Sequence, residues 1–358
     1  MMLAVTLRAP IQSAFGPDGY GQIREAIDMY VQGQGGKTLA LDDPADTGLI
    51  KIPPALSADA GSLLIAIRSA TSAVAGISSV LLMGNENVIP FFLLGNPVTD
   101  RNVDPDTTIL SDNPYGSSVD TQAQYLAPPM PVGRIPFPVS GSAAAALAYL
   151  SGASAYRAAR QTRAGSAVIT NADWSSFTQS AAASLPGPVD FHVSPGYQLA
   201  DPSNIQRSFA YANLHGFSGD GDWKAYDSVQ GQFVLVVSPS VLQSQALTGT
   251  VVFAENCYGA QIAGRTPANS CALTLANQGA AFIGASGLAF GSFLSPRMFL
   301  QDADELACTF FSECAAGATV GSALTKARAD YLSSVSATDA FKQKTLLQFL
   351  LLGDPTWN

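Results

Sequence analysis

The chain is poor in charge: only 13% of its 358 residues are Asp, Glu, Lys or Arg. That is well below the usual share, so much of the surface must be polar without being ionic. It has just two histidines, His192 and His215, which excludes a His-rich metal site and leaves two candidates for any imidazole chemistry. It has four cysteines, Cys257, Cys271, Cys308 and Cys314. None forms a CxxC pair, which argues against a zinc or redox motif, and four are too few for a disulfide scaffold. There is no basic run to neutralise phosphates and the net charge is −9, which argues against a nucleic-acid partner, and none is expected. No clean apolar run of about 18 residues appears; the stretch 271–293 comes nearest and is broken by Asn277, Gln278 and repeated Gly, so no membrane span is expected. The first ten residues lack a basic region followed by an apolar one, so no signal peptide is visible. The chain is expected to be cytoplasmic or a domain of a longer exported protein.

Apolar residues make up 47%, many of them Ala, which predicts closely packed small-residue helices. The length suits two α/β subdomains, 1–163 and 164–358, with the boundary after an Ala-rich helix at 140–160. Short apolar runs at 79–83, 166–170, 209–214, 233–237, 250–254 and 280–284 predict strands. Helices are predicted at 62–75, 174–184 and 320–331, and 345–352 is either helix or strand. Fully apolar strands spaced by helices indicate a mostly parallel sheet covered on both faces. In such sheets, sites form just beyond the carboxyl ends of strands.

That rule selects two segments: Leu214-His215-Gly216 after one strand and Glu255-Asn256-Cys257-Tyr258-Gly259 after another. A thiolate is the strongest side-chain nucleophile near neutral pH, and a histidine can take its proton and protonate a leaving amine. Gly216 and Gly259 allow backbone to come close to a substrate. A lone Cys is more often buried and inert, and a lone His more often structural. His-Gly after one strand and Cys after the next-but-one favours a dyad. The other three cysteines and His192, in a strand-like alternation, read as structural.

Several blocks, in order, resemble the gingipain-type cysteine peptidases of the caspase-like clan. They are Val80-Leu81-Leu82-Met83-Gly84 with Val88-Ile89-Pro90, Ser111-Asp112-Asn113-Pro114-Tyr115-Gly116, Val132-Gly133-Arg134-Ile135-Pro136 and Ala212-Asn213-Leu214-His215-Gly216. Three more follow: the Cys257 loop, the strand-like run 278–286, and Leu351-Leu352-Gly353-Asp354-Pro355. The match covers about 79–355. It departs at Leu214, where the family has Gly.

The resemblance implies a caspase-like sheet flanked by helices, preceded by a smaller α/β subdomain, and a cysteine endopeptidase acting on protein or peptide substrates. By the same resemblance Cys257 attacks the scissile carbonyl, His215 protonates the leaving amine, and the backbone N–H groups of Gly216 and Cys257 hold the oxyanion. Asp112 corresponds to an acid that orients the histidine, against a turn-forming role. Asp120 is the nearest candidate for a pocket carboxylate pairing with substrate Arg or Lys, against a solvated loop Asp. Residues 286–293 form the pocket wall, with Ser286 at its start and Phe290 as an aromatic side or plain core. No cofactor is expected; the Asp-rich loop 100–106 offers oxygen ligands for a structural calcium, with solvated turns as the competing reading. The alternatives are a catalytically inactive binding or scaffold domain and an acyl- or ester-transfer enzyme using the same thiolate.

Overall fold

The computed structural model describes residues 1–243, 247–292, 301–334 and 339–358. In chain order its strands are β1 (Met2–Thr6), β2 (Lys37–Ala40), β3 (Ser79–Met83), β4 (Phe92–Gly95), β5 (Thr108–Ser111), β6 (Val132–Ile135) and β7 (Ser166–Asn171). They continue with β8 (Val189–Ser194), β9 (Phe209–Asn213), β10 (Trp223–Asp227), β11 (Gln232–Val237), β12 (Val251–Ala254), β13 (Ala281–Ala285) and β14 (Phe349–Leu352). Ten of them form one sheet, ordered β2-β1-β3-β6-β14-β13-β12-β9-β7-β8 among the described residues. Its pairs are parallel except β13 with β14. The central strands are buried at every position, as in Ser79–Met83, Val251–Ala254 and Ala281–Ala285, because helices cover both faces. That is why they read as unbroken apolar runs rather than as an alternation.

β2, β1, β3 and β6 make one side of the sheet, while β4 and β5 pair antiparallel as a separate hairpin. β13, β12, β9, β7 and β8 make the other. β14, the last strand in the chain, lies between β6 and β13 and joins the two, so the sheet and its apolar core run through without a break. Beyond β14, Asp354 accepts a hydrogen bond from Tyr30 Oη at 2.6 Å, and the Trp357 ring stacks on Tyr156 at 3.9 Å. The Ala-rich helix Ala143–Arg160 is capped by Ser142, whose side chain accepts from the Ala145 N–H. Its Gly152 lies against the end of the helix Cys271–Asn277; a Cβ there would sit 2.4 Å from the Asn277 carbonyl oxygen. This is the close small-residue packing that the Ala content predicts.

The run at 233–237 is a strand, but it is not in the main sheet. β11 pairs antiparallel with β10 as a separate hairpin. Phe233 and Leu235 are exposed on it. A one-sided hairpin needs only part of its surface covered, and an apolar run cannot distinguish that from a core strand. The ambiguous 345–352 contains both structures: the helix Ala340–Gln348 runs directly into β14. No helix among the described residues is long and apolar enough to cross a membrane.

Candidate active site

β9 and β12 are adjacent and parallel, with Ala212 paired to Ala254. Three residues beyond that pair stand His215 and Cys257. Register alone therefore carries both past the carboxyl edge of the sheet at the same level. Two contacts join their loops. The Leu214 N–H donates to Asn256 Oδ1 at 3.3 Å, and Gly216 lies so close to Cys257 that a Cβ would sit 2.0 Å from its carbonyl oxygen. Leu214, where the resemblance departs, has a buried side chain.

Both His215 and Cys257 line a cavity of about 600 Å³. The His215 backbone is pinned by a reciprocal pair of bonds with Lys224, donating at 2.7 Å and accepting at 2.9 Å. Its ring is held between Trp174, 4.3 Å away centroid to centroid, and Phe233 at 5.0 Å. Burial pushes the imidazole pKa down, and the Asp173 carboxylate opposes this. Cys257 Sγ accepts from the Ala289 N–H at 3.4 Å. Burial raises the thiol pKa, while that N–H and the Lys344 ammonium pull it back. With the thiol pushed up and the imidazole down, both are uncharged near neutral pH.

Asp112 lies elsewhere. It forms a two-pronged pair with Arg134, Oδ2 accepting from Nε at 2.9 Å and Oδ1 from Nη2 at 2.6 Å. Both partners are buried. The Gly-Arg-Ile block thus supplies the partner of the Ser-Asp block, and the expected orienting role falls away because Asp112 is turned to Arg134 and does not line the cavity that holds His215. Among the described residues the carboxylate whose charge raises the His215 pKa is Asp173, which sequence reasoning missed although the strand-end rule reaches it: β7 ends at Asn171, and Asp173 and Trp174 follow.

Asp120 is likewise not in the cavity. It is exposed and accepts from the Tyr125 hydroxyl. Ser286 is buried with its hydroxyl donating to the Leu110 carbonyl at 2.7 Å, so it supports the wall from behind. Phe290 does line the cavity, packed edge-on against Phe341 at 4.7 Å. Phe293, the end of the expected wall, lies outside the described residues. His192 stacks on Tyr197 at 4.1 Å in β8 and is not among the cavity's lining residues.

The carboxylates that do line the cavity are Glu255, Asp302 and Asp304. Glu255 Oε1 accepts from Tyr211 Oη at 2.5 Å, and Asp304 Oδ2 accepts from the Ser292 N–H at 2.8 Å. Burial and the mutual proximity of the two acids push Glu255 well above the ordinary range, and burial raises Asp304. Asp302, bonded by Tyr331 Oη at 3.0 Å, is pushed up to about 6, mainly by burial. In the loop 100–106, Asp104 and Asp106 receive the ammonium of the buried Lys344. No cluster of three or more metal-ligating side chains occurs among the described residues.

Residues 63–358 match the model of peptidase family C25. Among solved structures the fold is similar to the Arg-specific cysteine proteinase gingipain R, with a TM-score of 0.65 at 14% identity, covering 99% of this chain and 77% of that one. A second structure, described only as a protease, aligns with a TM-score of 0.59 at 15% identity, covering 99% and 77%. No curated protein matches in sequence. The matched span takes in β3, β9 and β12 and runs to the end of β14, and with it this chain belongs to peptidase family C25, a family of cysteine peptidases.

Proposed function

We propose that Cys257 and His215 are the catalytic dyad of this peptidase and that it cleaves after Arg or Lys. The observation that carries the first part is the register of β9 with β12, which brings the two side chains to one cavity. In the resting pair the thiol holds its proton. As substrate enters, neutral His215 takes that proton and Sγ attacks the scissile carbonyl. The backbone N–H groups of Gly216 and Cys257 hold the oxyanion. The imidazolium then gives its proton to the departing amine, leaving a thioester on Cys257, and a water deprotonated by His215 hydrolyses it. Asp173 favours the imidazolium that forms midway, and Trp174 and Phe233 keep the ring in plane.

Basic selectivity is supported by Glu255 and Asp304 rather than by Asp120. Burial raises the pKa of both, and their proximity makes double ionisation unfavourable without a cation. A substrate guanidinium or ammonium supplies the missing counter-charge, and a substrate with a neutral side chain leaves the acids unpaired. The test uses fluorogenic peptide amides ending in Arg, Lys, Leu or Glu. Wild type should cleave the first two, Cys257→Ala none, and Asp304→Asn should lose the Arg and Lys preference by well over about tenfold. Equal cleavage by Cys257→Ala would remove the dyad, and an unchanged Arg rate in Asp304→Asn would move the pocket acid elsewhere. Free amines added as acceptors separate hydrolysis from acyl transfer.

A further inference from the structure

One carboxylate ties together the two backbone segments that meet at the nucleophile. Asp106 lies in the loop between β4 and β5, a hairpin outside the main sheet. Its Oδ1 accepts from Tyr258 Oη at 2.9 Å, and Tyr258 directly follows Cys257. Its Oδ2 accepts from the Leu288 N–H at 2.8 Å, and Leu288 directly precedes the Ala289 whose N–H points at Sγ. The same Oδ2 receives Lys344 Nζ at 2.9 Å. The two segments also bond directly, the Tyr258 N–H donating to the Gly287 carbonyl at 2.7 Å. The approach is tight: a Cβ on Gly287 would sit 2.6 Å from Asp106 Oδ2.

Two features show that this anchor is under load. Tyr258 has a φ of 57°, the left-handed region that a bulky side chain avoids and that persists only when surroundings hold it. Lys344 is fully buried, and a buried ammonium needs paired, correctly placed carboxylates; Asp104 and Asp106 provide them. Asp104 is itself set by the Asn96 side-chain amide at 2.8 Å and by the Asp106 N–H at 3.0 Å.

We propose that Asp106, held in an ion pair by Lys344, is a positioning residue for Cys257: through Tyr258 and Leu288 it sets the nucleophile against the Ala289 N–H. This rests on the assignment of Cys257 as nucleophile. Asp106 itself is not among the residues that line the substrate cavity. Its loss should therefore lower kcat and spare KM. A displacement on the order of 1 Å at a reacting atom costs about a hundredfold at most, so Asp106→Asn should lower kcat by roughly 30-fold with KM within about twofold. Tyr258→Phe removes one arm of the anchor without changing any charge, and should lower kcat by roughly fivefold.

The experiment measures kcat and KM on an Arg peptide amide for wild type, Asp106→Asn, Tyr258→Phe and the double variant. It also measures iodoacetamide alkylation of Cys257 against pH for wild type and Tyr258→Phe. The double variant should match Asp106→Asn alone, because Tyr258 acts through the carboxylate. The apparent thiol pKa should rise in Tyr258→Phe, since a nucleophile that drifts from the Ala289 N–H loses a donor to its thiolate. Three results would overturn the proposal: kcat unchanged in both single variants, multiplicative losses in the double, or a thiol pKa unmoved in Tyr258→Phe. If Asp106→Asn does not fold, Tyr258→Phe decides alone. If wild type cleaves no peptide amide, the peptidase assignment of this site fails, and the alkylation profile still decides whether the anchor sets the thiol.

Discussion

The two acids Asp112 and Asp173 should fail in opposite ways when neutralised. Asp112 faces a guanidinium with no solvent exposure at all, whose remaining Nη1 donates to the Gly84 and Ile89 carbonyls at 2.9 and 2.8 Å. Asp112→Asn keeps the shape and removes the counter-charge. Breaking a buried pair in this way costs about 3–5 kcal/mol. With a urea dependence of about 3 kcal/mol/M, the unfolding midpoint should fall by roughly 1–1.7 M. Molecules that remain folded keep His215 and Cys257 in register, so kcat per native molecule should be near that of wild type. Asp173 is exposed and acts on His215 by charge. Asp173→Asn should leave the urea midpoint within error, because surface charges contribute little. Removing the negative charge lowers the imidazole pKa further, so the limb of the kcat/KM profile that reports His215 should move to lower pH. The difference should shrink in about 0.5 M salt, where the Debye length falls to a few ångströms. The assay is a urea titration beside a pH–rate profile at two salt concentrations. Wild-type stability with collapsed kcat in Asp112→Asn would refute the reasoning and restore that residue to the histidine.

Asp302 gives a pH-dependent stability. Its pKa is raised from 3.8 to about 6, so the folded state binds the proton more tightly than the unfolded chain does. The resulting penalty is absent below pH 4, grows between about 4 and 6, and is full above 6, where it amounts to about 3 kcal/mol. Asp302→Asn, which still accepts from Tyr331, should therefore stabilise the protein at pH 8 and not at pH 4; equal melting shifts at both would exclude a buried charge as the cause. Gly216→Ala should abolish cleavage, because its Cβ meets the Cys257 carbonyl oxygen at 2.0 Å and one loop must move; retention of half the wild-type kcat would mean the loops are looser than described. Iodoacetamide should label Cys257 ahead of the fully buried Cys271, as mapped by peptide mass spectrometry, and a reversed order would count against an accessible nucleophile.

Much of this site was legible because its two principal residues obey one local rule. A strand buried on both faces reads as an apolar run, and the polar residues just past its carboxyl end are where a parallel sheet offers groups to a ligand. The rule found His215 and Cys257, and applied to Ser166–Asn171 it also reaches Asp173. Glu255 was within sight as well, two residues before the nucleophile in the same loop and facing the same cavity. The strands of the first 78 residues were harder, since β2 opens on exposed Lys37 and half-buried Thr38 and offers only Leu39 and Ala40 as an apolar run, and the helix Arg8–Gly33 is interrupted at Gly16 and Pro17.

What no local pattern could carry is the choice of partner. Asp112 and Arg134 each sat in a recognisable block, yet their pairing is set by how those blocks fold over β3 and β6. Asp304 comes from a helix that follows β13, and reaches the cavity only because that helix packs behind it. Asp106 and Lys344 are far apart in sequence and meet because the helix Ala340–Gln348, which leads into β14, packs against β5. An acid's role depends on which cation or proton it meets, and that meeting is a property of the sheet order. The nucleophile and its base were therefore readable one strand at a time, whereas the acids that tune them become assignable only once the last strand is placed between the first half of the sheet and the second.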